Sequence, residues 1–427
     1  MLIVQKYGGT SVGTPERIRA VARRVAATRA RGHDVVVVVS AMGDATDDLL
    51  TLAQLVTGSE TPARAHPREL DMLLTAGERI SMALLAMAIR EEGAEALSLT
   101  GSQAAIITDG THTAARIREV RADRVRGALA DGCIVIVAGF QGVSREREIT
   151  TLGRGGSDTS AVALAAALEA DRCEIFTDVD GVFTADPRRV PEARLVPRVS
   201  HAEMIELAAA GAQVMHPRAV EIGARYGVDI RVLSSFRDDG GDGEGRGTLI
   251  TQERDRMEEL ALTGITSQRG HARVALRGLP GGMATSTEVL TRLAEAGVPV
   301  DMISEHAEPS GRVSLQVTVW QDALDRARGV VGGLAERLGG GDWEVRGDLS
   351  RVTLVGSGMT GVPGVYARAF RALLDAGVEV QAVSTSAISI TLLVPSDCED
   401  DALRALHRAF ELERAADEAR VAPAERG

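Results

Sequence analysis

The sequence has little cysteine, few aromatic residues and almost no lysine. Its 427 residues include only three cysteines, Cys133, Cys173 and Cys398, which lie far apart. An odd number at this spacing predicts neither a disulfide framework nor a CxxC metal site, and it is typical of thiols in a reducing cytoplasm. Aromatic residues account for 3% of the chain, so alanine, valine and leucine must supply most of the buried core.

Long apolar runs and an excess of basic charge are also missing. No stretch approaches the roughly 18 apolar residues of a membrane span, and residues 1–7 are too short and polar for a signal peptide. The net charge of −12 argues against a protein that coats nucleic acid. We therefore expect a cytoplasmic globular protein of two to four domains, at roughly 100–200 residues each, with neither a membrane nor a nucleic-acid partner.

One scarcity is informative about chemistry. Of the 48 basic residues only Lys6 is lysine, and the other 47 are arginine. A lysine that persists where arginine replaces all others indicates a site that needs a compact ammonium rather than a planar guanidinium. The alternative is that Lys6 survives by chance, and its glycine-rich neighbourhood argues against that.

The pattern of apolar segments predicts a doubly wound α/β domain. Residues 35–39 form a run that is apolar on both faces, which is typical of a buried parallel strand. Strand-like segments also occur at residues 2–7, 134–140, 174–178 and 229–233, and helical patterns lie between them. Because ligands bind at the carboxyl ends of such strands, the small-residue turns that follow them are the candidate sites.

The last third of the chain contains an internal repeat. Residues 273–276 match residues 351–354, and residues 293–298 match residues 373–378. Each unit is expected to form a strand, a glycine turn, a helix and a second strand. The repeat predicts a pair of small α+β domains, separated from the first part of the chain by a flexible glycine- and aspartate-rich loop at residues 237–247.

Two clusters in the first part combine glycines with hydroxyl and charged groups at a predicted strand-to-helix junction. Residues 6–11 place Lys6 beside a Gly-Gly turn, although the GxxxxGK[ST] phosphate motif is absent. Residues 151–160 add Arg154, which can grip a carboxylate with two hydrogen bonds, and Asp158 at the helix start. An elaborate helix cap is the alternative interpretation of the second cluster.

Two further clusters carry acidic groups. Glu78 follows a glycine at a predicted helix start and could bind an ammonium group, or it could be an exposed acid favoured by the helix dipole. Residues 177–188 hold three aspartates around a glycine turn, which suits the edge of a nucleotide or Mg²⁺ site, or a plain loop. His216 precedes a proline and is interpreted as a structural turn residue.

Together these clusters resemble the amino-acid kinase superfamily and, within it, the aspartokinases. The matching motifs are residues 6–12, 73–79, 139–142, 151–158 and 177–188, and the C-terminal repeat resembles paired ACT regulatory domains. The resemblance implies a catalytic domain at residues 1–250 and ACT domains at 263–340 and 350–420, with a strand at 260–266 completing the second. It also implies ATP-dependent phosphorylation of the side-chain carboxylate of L-aspartate with Mg²⁺, as a step of amino-acid biosynthesis.

The resemblance also implies roles for individual residues. Lys6 and Asp158 are expected to be catalytic. The residues expected to bind the amino-acid substrate are Ser40, Thr46, Glu78, Arg154, Gly155, Gly156 and Ser157. Those expected to bind ATP are Lys6, Tyr7, Gly8, Gly9, Thr177, Asp178, Phe183, Thr184, Ala185, Asp186, Pro187 and Arg188. No protein metal ligand is implied.

The chain departs from the family pattern at its regulatory end. Gly281 and Met283 stand in a turn that usually reads Asp-x-Pro-Gly, and Glu305 replaces part of a usual Gln-Asn pair. With Val365 and Ser384 in the second repeat, these are the candidate effector-site residues, and feedback inhibition by lysine plus threonine is expected to be weakened or altered. Separately, Gln213 stands where the family usually has a nucleotide-binding lysine.

Three other interpretations remain open at this level. The chain could phosphorylate another acidic amino acid, could be a non-catalytic amino-acid sensor, or could be a scaffold. Relatives that start a short regulatory subunit internally suggest either a homodimer or an α2β2 assembly whose small subunit would begin near Met257. The first repeat is the degraded part, whereas the kinase motifs are nearly complete, which disfavours the sensor.

Overall fold

The computed structural model describes residues 1–237, 247–252, 261–308, 310–338, 342–357, 359 and 362–414. The chain divides into two compact units, one formed by Met1–Phe183 and Leu195–Met257 and the other by Thr184–Arg194 and Glu258–Gly427. Most of the predicted loop at 237–247, the possible internal start at Met257 and the tail from residue 415 lie outside the described residues.

The first unit contains a large sheet and a small one. Its strands are β1 (Leu2–Tyr7), β2 (Asp34–Val39), β3 (Ala96–Leu99), β4 (Ile106–Thr108), β5 (Ile117–Val120), β6 (Ile134–Ala138), β7 (Gln141–Ser144), β8 (Ile149–Thr151), β9 (Arg172–Thr177), β10 (Arg198–Ser200), β11 (Ile230–Ser234) and β12 (Thr248–Thr251). The eight-stranded sheet has the order β10-β12-β11-β9-β1-β2-β6-β3 and is parallel except between β11 and β12. The predicted doubly wound, mainly parallel sheet is therefore confirmed.

Nine α-helices and one short 3-10 helix, Gly9–Val12, are described in the first unit. The α-helices are α1 (Pro15–Ala30), α2 (Ala45–Thr57), α3 (Pro62–Ala65), α4 (Pro67–Leu74), α5 (Ala76–Glu91), α6 (Asp123–Ala130), α7 (Gly156–Leu168), α8 (His201–Ala209) and α9 (Pro217–Tyr226). Side-chain caps explain the starts of α1, α8 and α9. For example, Thr14 accepts a hydrogen bond from the Arg17 amide while Pro15 occupies the first helical position.

The helical run Pro67–Glu91 corrects one expectation from the sequence. By length and composition alone it could cross a membrane, whereas no such segment was expected. About half of its most apolar part is buried in the first unit, where Leu85 and Ile89 of α5 are fully enclosed in the core beside α1. Packing in the core explains the buried half of the run, whereas Ile80, Leu84 and Met87 of α5 are exposed.

The second unit contains one six-stranded antiparallel sheet. Its elements are β13 (Ala261–Pro280), α10 (Met283–Glu295), β14 (Val300–Ala307), β15 (Arg312–Trp320), α11 (Leu324–Arg337), β16 (Asp342–Ser357), α12 (Val365–Asp375), β17 (Ala382–Thr385), β18 (Ser389–Pro395) and α13 (Glu399–Ala409). The strand order is β14-β15-β13-β16-β18-β17.

The predicted repeat produces two βαβ cores on this sheet. Leu276, Val289 and Val317 belong to one core, and Leu354 and Leu373 belong to the other. The first part of β13, residues 261–268, pairs with residues 351–357 of β16, next to the second core. Two α+β domains thus share a sheet through their long strands β13 and β16.

Candidate active site

The central strands of the first unit bring four turns to one edge of the sheet. Strands β9, β1, β2 and β6 are parallel neighbours, so their carboxyl ends lie side by side. Backbone hydrogen bonds continue past the strand ends, from the Ser40 amide to the Tyr7 carbonyl at 3.1 Å and from the Gly139 amide to the Val39 carbonyl at 2.9 Å. This edge is where ligands bind in open α/β sheets.

Lys6 and Asp158 form an ion pair at this edge. The Lys6 Nζ lies 2.6 Å from an Asp158 carboxylate oxygen, and each side chain is about nine-tenths buried, with 12% and 11% of its surface exposed. Asp158 stands in the first turn of α7, directly behind a glycine-rich loop. The Gly8 turn lies beside the ammonium, since a Cβ at Gly8 would be 3.4 Å from the Lys6 Nζ, an ordinary contact distance.

The turn after β1 packs backbone to backbone against the turn after β2. A Cβ at Gly9 would lie 2.9 Å from the Ala41 carbonyl oxygen and 3.0 Å from that of Gly43, so no larger residue fits without displacement. The Gly43 amide donates to the Gly9 carbonyl at 3.0 Å. Glycine is thus required for this close approach, independently of any phosphate.

Tyr7 is a core residue rather than a surface one. Its ring is fully buried and stacks on Phe176 with centroids 4.7 Å apart, and its hydroxyl donates to Gln5. Burial raises the pKa of the Tyr7 phenol. Any contact of Tyr7 with a nucleotide would therefore have to come from its backbone.

Glu78 is buried, contrary to the interpretation of an exposed first-turn acid. It stands at the start of α5 with 3% of its surface exposed, and its Oε1 accepts from the Ala41 amide at 3.2 Å. Its Oε2 is buried with no partner among the described residues. Burial raises the pKa of this carboxyl to about 7, against the opposing effect of the backbone hydrogen bonds. An unpaired buried oxygen of this kind suits an incoming cation.

Arg154 lies on the loop between β8 and α7. Gly155, the next residue, has a positive φ of +68°, and a Cβ there would collide with the His216 side chain at 2.1 Å. Arg218 of α9 donates to the Leu152 carbonyl at 2.6 Å and so holds the other side of the loop. Arg154 itself is exposed and forms no ion pair with the described residues, so its guanidinium is available to a ligand.

The remaining predicted substrate residues lie at the same edge. A Cβ at Gly156 would lie 2.8 Å from the Phe140 ring, and one at Gly139 would lie 2.8 Å from the Ser157 hydroxyl, so α7 begins directly against the turn after β6. Ser40 follows β2, and Thr46 lies in the first turn of α2; both are half-buried.

The predicted nucleotide residues are divided between the two units. Thr177 ends β9 at the site edge and Asp178 follows it, and the Thr177 hydroxyl donates to the Asp178 carboxylate at 3.1 Å. Phe183 is also in the first unit, but residues 184–188 belong to the second. There Thr184 and Ala185 are buried, whereas Pro187 and Arg188 are exposed. A hydrogen bond from Arg188 lowers the pKa of Asp186.

The candidate effector residues are spread over the six-stranded sheet of the second unit. Gly281 and Met283 lie at the start of α10, and Glu305 lies on edge strand β14, where it accepts a hydrogen bond from Ser286. Val365 is buried at the start of α12, and Ser384 is exposed on the opposite edge strand, β17.

Sequence reasoning missed Asp71 and Arg218. Asp71 is a fully buried carboxylate on α4, and Arg218 holds backbone carbonyls of two loops. The signal for Asp71 was available, since an aspartate inside the apolar run of residues 70–74 needs a partner. His216, as predicted, is structural: it caps α9 by accepting from the Arg218 amide. Gln213 is exposed in the preceding turn.

Comparison with known proteins agrees with this architecture. Residues 1–234 match the amino acid kinase family, and residues 352–410 match an ACT domain family. The chain is 49% identical over 416 residues to an aspartokinase of Mycolicibacterium smegmatis, covering 96% of both proteins. It is 43% identical over 415 residues to an aspartate kinase of Pseudomonas fluorescens, covering 96% of this chain and 98% of the other.

Solved structures show the same likeness. Aspartokinase III of E. coli, crystallised with aspartate and ADP, superposes with a TM-score of 0.77 at 25% identity, over 96% of this chain and 100% of the other. Aspartate kinase from Synechocystis has a TM-score of 0.52 at 41% identity, over 96% of this chain and 70% of the other. The chain belongs to the amino acid kinase family and, within it, to the aspartokinases.

Proposed function

We propose that this chain transfers the γ-phosphoryl group of ATP to the side-chain carboxylate of L-aspartate, giving 4-phospho-L-aspartate and ADP. The observation that carries the proposal is the contact of 2.6 Å between the only lysine and Asp158, at the sheet edge where the glycine turns meet. The E. coli relative crystallised with aspartate and ADP supports the same pair of ligands. The product belongs to amino-acid biosynthesis.

The chemistry needs electrostatic stabilisation more than proton transfer. An oxygen of the aspartate carboxylate forms a bond to the γ-phosphorus while the bond from that phosphorus to the β,γ-bridging oxygen breaks. The attacking carboxylate is ionised at pH 7, so no general base is required. The main obstacle is repulsion between two anions, which a positioned ammonium and backbone amides offset. We assign that ammonium to Lys6, held in place by Asp158.

The amino-acid substrate is recognised by charge at both ends of its backbone. Glu78 offers a buried carboxylate oxygen without a partner to the substrate ammonium. Arg154 offers an exposed guanidinium to the substrate α-carboxylate, for which two parallel hydrogen bonds are the favoured geometry. Ser40, Thr46 and residues 155–157 complete this part of the site.

We assign the nucleotide to the turn around Gly8 and to Thr177, Asp178 and Phe183, which all belong to the first unit. No cluster of three or more His, Cys, Asp or Glu residues suited to a metal occurs in the described part of the chain. We propose that Mg²⁺ enters with the ATP phosphates, where it would neutralise their charge. We also propose a cytoplasmic location, supported by cysteines that are free in the structure.

Regulation and assembly are further parts of the proposal. We propose that inhibition by lysine plus threonine is weak or altered, because Gly281 lacks the acidic group that would bind an effector ammonium. The loss of one charged hydrogen bond corresponds to roughly 1.5–3 kcal/mol. The assembly is proposed to be a homodimer, or an α2β2 complex if a short subunit is produced.

The direct test is ATP-dependent formation of aspartyl hydroxamate from L-aspartate, Mg²⁺ and hydroxylamine, which traps the acyl phosphate. We expect product with L-aspartate and little with L-glutamate. Product with glutamate alone would replace the substrate assignment with the sister-kinase interpretation. No product with either, from folded protein that binds ATP, would contradict the kinase proposal.

A further inference from the structure

A buried carboxylate outside the assigned site ties together the elements that carry Glu78 and Arg154. Asp71 of α4 has no exposed surface. Its Oδ1 accepts from the Thr151 hydroxyl at 2.6 Å and from the Thr113 amide at 3.0 Å, and its Oδ2 contacts the His112 Nδ1 at 2.6 Å. A buried carboxylate is tolerated only when its oxygens are satisfied in this way.

One side of this network leads to Arg154. Thr151 is the last residue of β8 and precedes Arg154 by three positions, and its carbonyl accepts from the Ala115 amide at 2.9 Å. Thr113 has a positive φ of +65°, an unfavourable conformation for a β-branched residue, which must be held by its surroundings. A Cβ at Gly153 would lie 3.1 Å from the Thr113 carbonyl, so this loop packs directly against the loop of Arg154.

The other side leads to Glu78. The Asp71 carbonyl accepts from the amide of Thr75, the fully buried residue between α4 and α5. The Thr75 carbonyl in turn accepts from Gln141 at 3.3 Å, which fixes this junction against β7. Glu78 follows three residues later. The Asp71 carboxylate fixes α4 against β8 and the loop of Thr113, and the backbone at Thr75 carries this placement into the first turn of α5.

We propose that Asp71 is a positioning residue that sets the distance between Glu78 and Arg154, and thereby determines affinity and selectivity for a short acidic amino acid. It acts through Thr151, Thr113 and His112 and does not touch the substrate. This inference rests on the proposed function, because it takes Glu78 and Arg154 as the groups that bind the substrate ammonium and α-carboxylate.

The chain offers a matched pair of substitutions to test this. Thr151→Val removes the hydroxyl that donates to Asp71. Thr150→Val, on the neighbouring residue of the same strand, removes an equally buried hydroxyl whose partner is Thr108 at 2.6 Å. Both variants lose one short buried hydrogen bond, so a merely structural role would affect them alike.

We expect Thr151→Val to raise the KM for L-aspartate about tenfold with the KM for ATP changed less than twofold, since small misplacements of binding groups are costly. Thr151→Ser should restore the wild-type KM, and Thr150→Val should leave it unchanged. In an Arg154→Ala background Thr151→Val should have little further effect on aspartate affinity. Asp71→Asn should raise the KM for L-aspartate as Thr151→Val does. If Asp71→Asn folds poorly, Thr151→Val and Thr151→Ser still test the proposal.

Equal changes in both KM values, or the same effect from Thr150→Val, would overturn the positioning role. Calorimetric titration of L-aspartate and L-glutamate into wild type and variants separates this from the proposed function. If wild type binds L-aspartate without forming hydroxamate, the proposed reaction fails. The positioning role of Asp71 is then tested by comparing the dissociation constants for L-aspartate of wild type and variants. If wild type binds neither amino acid, the premise about Glu78 and Arg154 is wrong and the inference fails with it.

Discussion

At the scale of single residues, Lys6 shows how a compositional bias can expose a functional constraint. Arginine stands at every other basic position, although both side chains carry the same charge. Lys6 is about nine-tenths buried, pairs with Asp158 and lies beside the Gly8 turn. A planar guanidinium spreads its charge over a fork of donors and cannot present the single compact charge of an ammonium there.

Lys6→Arg is therefore expected to lower kcat by about 100-fold or more, the usual cost of losing one preorganised electrostatic group. The hydroxamate assay measures it, and the melting temperature reports whether the fold is kept. Arg19→Lys is a suitable control, because it makes the opposite change at an exposed ion pair on α1. Near-normal turnover of a folded Lys6→Arg enzyme would refute the compact-ammonium argument.

Glu78 leads to a prediction about pH. Its pKa is raised to about 7, so below that pH the carboxyl is mostly protonated and cannot attract an ammonium group. We expect kcat/KM for L-aspartate to rise with pH, by up to tenfold per pH unit, until about pH 7 and then to level off.

Glu78→Gln should lower this kcat/KM and flatten its acidic limb, since no ionisation remains. The kcat/KM for ATP at saturating aspartate serves as the comparison, and we expect no such step near pH 7 there. If the acidic limb persists in Glu78→Gln, another group is responsible for it.

At the scale of elements, the segment of residues 184–194 is the least expected feature. It lies within the predicted catalytic domain, yet it packs in the core of the second unit, where Ala185 and Val190 are buried. Arg189 on this segment pairs with Glu399, the first residue of α13, at 2.7 Å. Glu399 also accepts from Ser267 at 2.5 Å and from Arg269.

This network predicts a measurable effect on stability. The Glu399 side chain is 1% exposed, and Arg189→Ala removes one of the cations that balance its buried charge. We expect the free energy of unfolding to fall by about 3 kcal/mol. Both tryptophans, Trp320 and Trp343, belong to the second unit, so their fluorescence during urea unfolding reports on that unit. Arg404→Ala, which removes an exposed ion pair on the same helix, is the control and should change little.

The same network has a defined pH dependence. Burial alone would raise the pKa of Glu399, but hydrogen bonds from Arg189, Ser267 and Arg269 hold it below its ordinary value. A carboxyl with a lowered pKa in the folded state contributes stability above its unfolded pKa and loses it as the pH falls through the folded value. The difference in the free energy of unfolding between wild type and Arg189→Ala should therefore become smaller at acidic pH. An effect of Arg189→Ala equal to that of Arg404→Ala at neutral pH would contradict this account.

At the scale of the whole molecule, regulation depends on how the two α+β domains are joined. Glu305 and Ser384 lie on the two opposite edge strands, separated by five strand spacings of about 4.8 Å, or about 24 Å. They cannot line one small effector site within a single chain. In addition, a Cβ at Gly281 would lie 2.1 Å from the Gly311 carbonyl oxygen, so the turn does not accept the acidic residue usual in the family.

We accordingly expect that lysine and threonine, at about 1 mM each, inhibit hydroxamate formation only weakly, because an effector ammonium would lose a charged partner. Gly281→Asp should not restore inhibition and should lower the melting temperature instead. The readout is the residual rate with both amino acids present. Strong inhibition of the wild-type enzyme would contradict this prediction and would show that groups other than residue 281 bind the effector ammonium.

The sequence by itself determined the local and repetitive features. Runs such as Val35–Val39 are apolar on both faces, which only a strand buried between helices tolerates, so the doubly wound sheet could be predicted. The repeat predicted two α+β domains, and motif spacing placed the glycine turns after strands. Because these features depend on neighbours along the chain, patterns of residue type were sufficient to find them.

Only the tertiary structure decided which distant groups meet. It brought Lys6 to Asp158 across 152 positions, buried Glu78 and left one oxygen unpaired. It also joined Asp71 to Thr151 and assigned residues 184–194 to the second unit. Each of these depends on burial and on contacts between elements remote in the chain. A carboxylate in an apolar helix signals that a partner is needed, but only the packing of three elements around Asp71 shows which partner it has.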